Sequence, residues 1–494
     1  MDDLLAISGC EIARRIRSGK LSSRQAVEAH IVRIQCVNPV INALVADRFD
    51  EARREADQAD RARETLGPDA LPLFHGVPFT VKECFELEGM PNTAGIAKRR
   101  HAKSTRDATV VARVRKQGAI PLGVTNTSEA CLWMESVNPV YGRTNNPYDS
   151  ERIAGGSSGG EAAIVGAGGS PFGVGSDIGG SIRGPAFFNG VFGHKPSGGL
   201  VPGSGQVPPC GPAASRILTT GPIARRAEDL MPLLRIMAGP DGADVGCESL
   251  VIKDANEVDL KGMTVLHVVD SGRIAVSDDL RGAQERVVEA LAARGARIEH
   301  AKFEALKLQF EIWSAALAAS QDESFASLLG EGDPVRPVPE LLKWLVGRSQ
   351  HTIMPLLTAL TDPIPALFPK QRERLIAKGR ALRAELSARM GPRGIMLYPT
   401  YSTPAPKHNA AVFDALRLHF PFAHQGIMNV LEFPSTAVPL GLNAQGLPLG
   451  CQVIADHGND HLTIKVAIEL EKIFGGWASP SSPRSAATSV SSRA

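Results

Sequence analysis

Hydrophobic positions along this chain alternate between a helical period and a strand period. The first 65 residues are helical in pattern. Ser22 and Gln25 form a capping-box pair, and Val27, Ile31 and Ile34 recur along one helix face until Asn38 and Pro39, where the helix is expected to stop. Over 47–64 charged residues surround a stripe of Ala52, Ala56 and Ala59, the pattern of a surface helix packed through small side chains. From Pro72 the period shortens to two. Val77, Phe79 and Val81 alternate as in a strand, with Lys82 at its end. A helix over 109–117, closed by Gly118, and a buried strand over 119–124 then complete a βαβ-like succession.

The alternation resumes downstream. Positions 263–269 read as a strand, and Leu280, Ala283, Val287 and Leu291 mark one helical face closed by Gly295. Residues 302–370 are different in kind. Phe310, Trp313, Phe325, Leu341, Leu342, Trp344, Leu345, Met354, Leu356 and Leu357 crowd short helices broken by prolines. Strands are expected again over 395–398 and 435–440, and a closing helix over 462–474. No internal repeat and no long linker interrupts the chain, so a single large α/β domain over 1–480 is expected. The Ser/Ala/Pro-rich end, 481–494, has little to bury and is expected to be disordered.

Composition narrows the function classes. A formal net charge of +2 over 494 residues, with no basic run, argues against a nucleic-acid partner. The seven cysteines are scattered without CxxC spacing, which disfavours a zinc site or a disulfide framework and fits reduced thiols in a cytoplasmic protein. Acidic residues in the opening MDDLLAIS stand where a signal peptide carries basic ones, and no apolar run approaches the length of a membrane span.

The candidate chemistry lies in a glycine-rich segment. Between positions 155 and 193, 14 of 39 residues are glycine. In a helix or strand interior each would cost about 0.5–1 kcal/mol relative to alanine, so such a density marks backbone that must approach something closely. Serines sit inside the runs at Ser157, Ser158 and Ser181. Unobstructed N–H groups beside hydroxyls make an oxyanion site. GGSSG at 155–159 formally fits the nucleophile elbow of α/β-hydrolases, but polar loop residues precede it where the elbow needs a buried strand. No Walker pattern occurs.

GGSSGG, DIGGSIR and GHKPS resemble the amidase signature family. Fragments such as TGPIARRAEDL, LLKWLVG, YPTYSTPAPKH and PLGLNAQGLPLG extend the resemblance to its fatty-acid amide hydrolase branch, the type 2 enzymes above all. The resemblance implies an amidase-signature α/β fold, a mixed central sheet flanked by helices, with its signature core at about 72–230. It implies Ser181 as nucleophile, Ser157 as a bridging serine behind a cis peptide, and Lys82 as base. It places the oxyanion hole on the N–H groups of Ile178, Gly179, Gly180 and Ser181. Beside Ser181, Asp177 and Arg183 read as scaffolding that fixes the loop by hydrogen bonds, with direct substrate contact by Arg183 as the alternative, and Ser158 and Lys195 read as supports. The chemistry agrees. A serine hydroxyl needs a base within hydrogen-bond reach, and burial of Lys82 among Phe79, Val81 and Cys84 disfavours its ammonium form.

The same resemblance puts the substrate against the loop 129–136. Cys131 occupies the position whose carbonyl lies near the nucleophile, and Trp133 and Met134 wall a pocket. It makes 302–370 a cap over an acyl channel closed by Trp313 and Trp344. The implied reaction is hydrolysis of a carboxylic amide with an apolar acyl or aryl group, extending to esters and carbamates, with no metal or organic cofactor. A homodimer remains open. The N-terminal membrane anchor of the type 2 enzymes has no counterpart expected here. Three alternatives stay beside this reading: a glutamine-dependent amidotransferase subunit, which typically carries threonine where this chain has Ile178; a urethane hydrolase; and a non-catalytic lipid-binding protein.

Overall fold

The computed structural model describes residues 3–209 and 211–480; the expected disordered end, 481–494, lies outside them. The strands are β1 (Leu44–Asp47), β2 (Pro78–Lys82), β3 (Ile120–Thr125), β4 (Val137–Asn138), β5 (Gly142–Arg143), β6 (Phe172–Asp177) and β7 (Phe192–Lys195). They continue with β8 (Thr219–Ala224), β9 (Thr264–His267), β10 (Arg297–His300), β11 (Ile395–Tyr398), β12 (Ser435–Leu442) and β13 (Pro448–Ala455). Eleven of them form one sheet in the order β1-β3-β2-β6-β8-β7-β12-β13-β11-β9-β10, while β4 and β5 pair separately. The sheet is mixed. β3, β2 and β6 run parallel, as do β11, β9 and β10, and antiparallel pairs join the two groups.

β2 and β6 are adjacent and parallel, with Thr80 opposite Gly173 and Val81 opposite Val174. Their carboxyl ends therefore open at the same edge, where ligands bind in parallel α/β sheets. β2 delivers Lys82 there, and β6 delivers Ser176, Asp177 and the DIGGSIR loop. The helix Gly159–Gly166 follows the other serine loop and is buried at all eight positions. Such a helix packs backbone to backbone. A methyl group on Gly160 would lie 2.4 Å from Asn126 N, so only glycine allows this approach.

The same helix buries Glu161, whose carboxyl accepts hydrogen bonds from Thr80 and Thr125. Burial pushes it up to about 8, against the pull of those two hydroxyls and Lys82, so it is mostly protonated at neutral pH. Its folded-state pKa lies above the unfolded value, so its contribution is complete below about 4.5 and is lost as pH rises through about 8. The slope reaches about 1.4 kcal/mol per pH unit inside that window. Glu161→Gln should flatten the decline of Tm between pH 5 and 9, read as the difference between variant and wild-type melting curves.

Two local expectations are corrected. The second helix runs Ser23–Ile41, straight through Pro39, and ends at Asn42 in the left-handed region (φ 46°). Asn38 makes this end tolerable: its carbonyl accepts from Asn42 N, and its side chain accepts from Ala43 N and Leu44 N. β1 follows immediately, four residues that run from buried Leu44 to exposed Asp47 with too little alternation to stand out. Trp344 is the other correction. Its helix, Pro337–Leu345, buries no residue, and Trp344 is 39% exposed. Among the described residues no helix is long and apolar enough to cross a membrane.

Candidate active site

Lys82 is fully buried and its Nζ donates to Ser157 Oγ at 2.6 Å and to Ser176 Oγ at 3.0 Å. Among the described residues no carboxylate lies within ion-pair distance of it. Ser157 follows a cis peptide from Gly156. Ser158 N donates to the Ser181 carbonyl at 3.2 Å, which ties the two serine loops together, and Ser158 Oγ donates to the Ser176 carbonyl at 3.3 Å. Ser181 faces a cavity, and among the described residues its Oγ has no hydrogen-bond partner.

The loop bearing Ser181 is shaped by Asp177. One carboxylate oxygen accepts from Gly180 N at 2.7 Å and the other from Ile182 N at 3.1 Å. Arg183 pairs with the same carboxylate at 3.0 Å, and both residues are wholly buried. Burial alone would raise Asp177; the Arg183 charge and hydrogen bonds, with Lys195 and Asn429, override it and hold the carboxyl far below its usual range. The Gly180 N–H is thereby committed, which corrects the expectation that it serves the oxyanion hole. The N–H groups of Ile178, Gly179 and Ser181 remain without a partner among the described residues. Gly180 itself has φ 119°, and a methyl group there would lie 2.2 Å from Gln425 Oε1. Lys195 is buried within electrostatic reach of Asp177 and Arg183, and its Nζ donates to the Pro196 carbonyl.

Trp313 donates from Nε1 to the Ile178 carbonyl at 2.9 Å. A peptide is planar and trans, so fixing that carbonyl points the Gly179 N–H the opposite way. Trp313→Phe should lower kcat about 10-fold, because the donor is loosened rather than removed. Steady-state kinetics on a short-acyl amide checks this; a change in KM alone would contradict it.

The cavity, of about 440 Å³, opens from Ser181, Gly179, Gly180 and Ile178. Cys131, Trp133, Met134 and Trp313 line it as expected from the sequence, while Trp344 does not. The aromatic wall comes instead from Phe310, Phe420 and Phe422: Phe310 stacks on Phe420 at 3.8 Å, and Phe422 stands edge-on to Trp313 at 5.3 Å. FPF at 420–422 sits between two helices, where an isolated triplet has no period to reveal its side.

The loop 129–136 is pinned at both ends by buried carboxylates that went unmarked in the sequence. Glu129 Oε1 pairs with His351 Nδ1 at 2.6 Å, and Glu129 Oε2 accepts from Thr352 N and Oγ1 at 2.7 Å, just before the helix Ile353–Thr361. Glu135 Oε1 pairs with His408 Nδ1 at 2.6 Å, beside the helix Ala410–Leu416. Both helices line the cavity, so one loop carries two of its walls. Between these anchors Ala130 and Cys131 are consecutive left-handed residues, φ 52° and 59°, a conformation costing about 1–2 kcal/mol each.

This site on this sheet defines a hydrolase of acyl groups by an activated serine. The Amidase family model matches residues 25–464, and the chain belongs to that family; it is an amide-hydrolysing enzyme. Fatty-acid amide hydrolase 2 of Homo sapiens is 45% identical over 495 residues, covering 97% of this chain and 91% of the human one. Fatty-acid amide hydrolase 2-B of Danio rerio is 44% identical over 493 residues, covering 97% and 91%. Among solved structures, 6-aminohexanoate cyclic dimer hydrolase complexed with substrate aligns with a TM-score of 0.78 at 25% identity, covering 95% of this chain and 97% of that one.

Proposed function

We propose that this enzyme hydrolyses amides of long apolar acyl chains through an acyl-enzyme on Ser181. The substrate carbonyl sits in the cradle of the Ile178, Gly179 and Ser181 N–H groups. Ser181 Oγ gives its proton to Ser157 Oγ, and Ser157 passes its own to the Lys82 amine. For that transfer the Ser157 hydroxyl donates to the Nζ lone pair across the same 2.6 Å contact. Substrate closes the remaining gap between the serines, since catalytic hydrogen bonds tighten in the Michaelis complex. The C–O bond forms, the carbonyl oxygen becomes an anion in the cradle, and its collapse breaks the C–N bond as the relay returns a proton to the leaving amine. Water then attacks the ester by the same relay and frees the acid. Esters and carbamates form the same oxyanion and are expected to react.

The observation that carries the acyl preference is the cavity wall. Phe310, Trp313, Leu317, Met354, Leu357 and Phe422 bound the space leading away from Ser181. Each buried methylene is worth about 0.8 kcal/mol, or about fourfold in kcat/KM. A series of primary amides from acetamide to oleamide should therefore climb steeply in kcat/KM until the cavity is filled. A flat or falling series would remove the acyl-chain assignment while leaving amide hydrolysis in place. The names of the type 2 relatives point the same way.

A further inference from the structure

The catalytic cluster contains two thiols that the amide chemistry does not use. Cys84 lies two residues beyond Lys82, fully buried, with its Sγ 4.0 Å from Ser176 Oγ. Cys131 stands in the cavity wall beside Ser181, turned there by its left-handed backbone, with its Sγ 3.4 Å from Thr127 Oγ1. The two thiols are neighbours, and Cys131 also neighbours Ser157. We propose that Cys131 is a peroxide-sensitive modification site, with Cys84 as its resolving thiol, and that oxidation of the pair switches the amidase off.

Three features support the assignment. Cys131 is reached through the cavity that admits substrate, whereas Cys84 is sealed behind it. The neighbouring Cys84 thiol is the main influence that holds Cys131 below the ordinary thiol range, while burial first and then Cys131 push Cys84 well above it. The inner thiol thus keeps its proton and the outer one is the nucleophile. The remaining cysteines with a resolved shift, Cys10, Cys247 and Cys451, are all pushed the other way.

The steps balance. The Cys131 thiolate attacks one oxygen of hydrogen peroxide; an S–O bond forms, the O–O bond breaks, sulfur loses two electrons, and the departing hydroxide leaves as water after taking a proton. Cys131 is then a sulfenic acid. The Cys84 sulfur attacks it, an S–S bond replaces the S–O bond, and the hydroxyl leaves as water with the Cys84 proton. Two thiols and one peroxide give one disulfide and two waters. The new bond pulls the loop 129–136 onto β2 at the Lys82–Ser157 contact and removes the thiol from the cavity wall.

The test begins with the wild-type protein, titrated with hydrogen peroxide and mapped by peptide mass spectrometry. The expected result is a Cys84–Cys131 disulfide at near-stoichiometric peroxide, at least a 10-fold loss of amide turnover in step with it, and recovery in dithiothreitol. In Cys84→Ser, dimedone should trap a sulfenic acid on Cys131, and in Cys131→Ser inactivation should be at least 10-fold slower relative to that variant's own starting activity. Free thiols at both positions when activity is lost, preferential oxidation of exposed Cys36, or a disulfide that leaves turnover intact would each overturn the proposal. The mapping on wild-type protein stands even if a variant fails to fold, and it reads independently of the roles given to Ser181 and Lys82.

Discussion

Ser181→Ala is expected to lower kcat on amides by about 10⁴-fold or more, with KM for long-chain substrates nearly unchanged. The size follows from the loss of a covalent path: removing a nucleophile leaves only the catalysis that an oxyanion cradle and binding supply, about 10³–10⁴ over water. KM holds because the acyl chain rests on Phe310, Trp313, Leu317 and Phe422, none of which the substitution touches. The variant should fold normally, since Ser181 Oγ bonds to no other described group. Its backbone N–H survives in alanine, so the cradle stays intact. Turnover of a long-chain amide by pure variant protein, against the wild type, checks this. A kcat within 10-fold of wild type would mean that another group attacks.

Lys82→Met should cost about 10²–10⁴ in kcat/KM. Methionine keeps the length and most of the volume of the buried stem but has nothing to accept a proton. Ser157 Oγ and Ser176 Oγ each lose their Nζ partner at 2.6 Å and 3.0 Å and can turn to one another or to water. Stability should change little, because no ion pair is broken. Combining Lys82→Met with Ser181→Ala should add almost nothing to the single losses, since groups acting as one relay are grossly non-additive. Steady-state rates of the single and double variants measure this; multiplicative losses would show that Lys82 acts outside the relay.

The asymmetry between what the sequence reveals and what it conceals has a physical origin. Lys82, Ser157 and Ser181 are legible because each sits in backbone that only a specific residue string can build: a strand end, a glycine-flanked turn, and a loop wound around Asp177. That Lys82 and the DIGGSIR loop share one edge of the sheet follows from β2 and β6 being adjacent and parallel. Ser176 is less visible. It lies in the strand with an ordinary serine's profile, and only the pairing register turns it toward Lys82. The commitment of the Gly180 N–H to Asp177 is likewise a fact of three dimensions, since nothing in DIGGSIR says which of four donors the carboxylate takes.

The cavity shows the same division. A dense apolar stretch announces a cap, but it does not say which apolar residues face inward. Trp344 and its neighbours Leu342 and Leu345 point outward, 39%, 62% and 72% exposed. Phe420 and Phe422 come from a distant segment to take the inward place. Glu129 and Glu135 are invisible for another reason. Each looks like a surface acid until His351 and His408, more than 200 positions away, bury it.

The site of covalent attachment tests the account most directly. Incubating the wild-type enzyme with a fluorophosphonate, digesting it and sequencing the adduct-bearing peptide should place one phosphonyl group on Ser181, competed away by a long-chain amide. An adduct on Ser157 or Ser158, or full amide turnover by protein that carries none on Ser181, would contradict it.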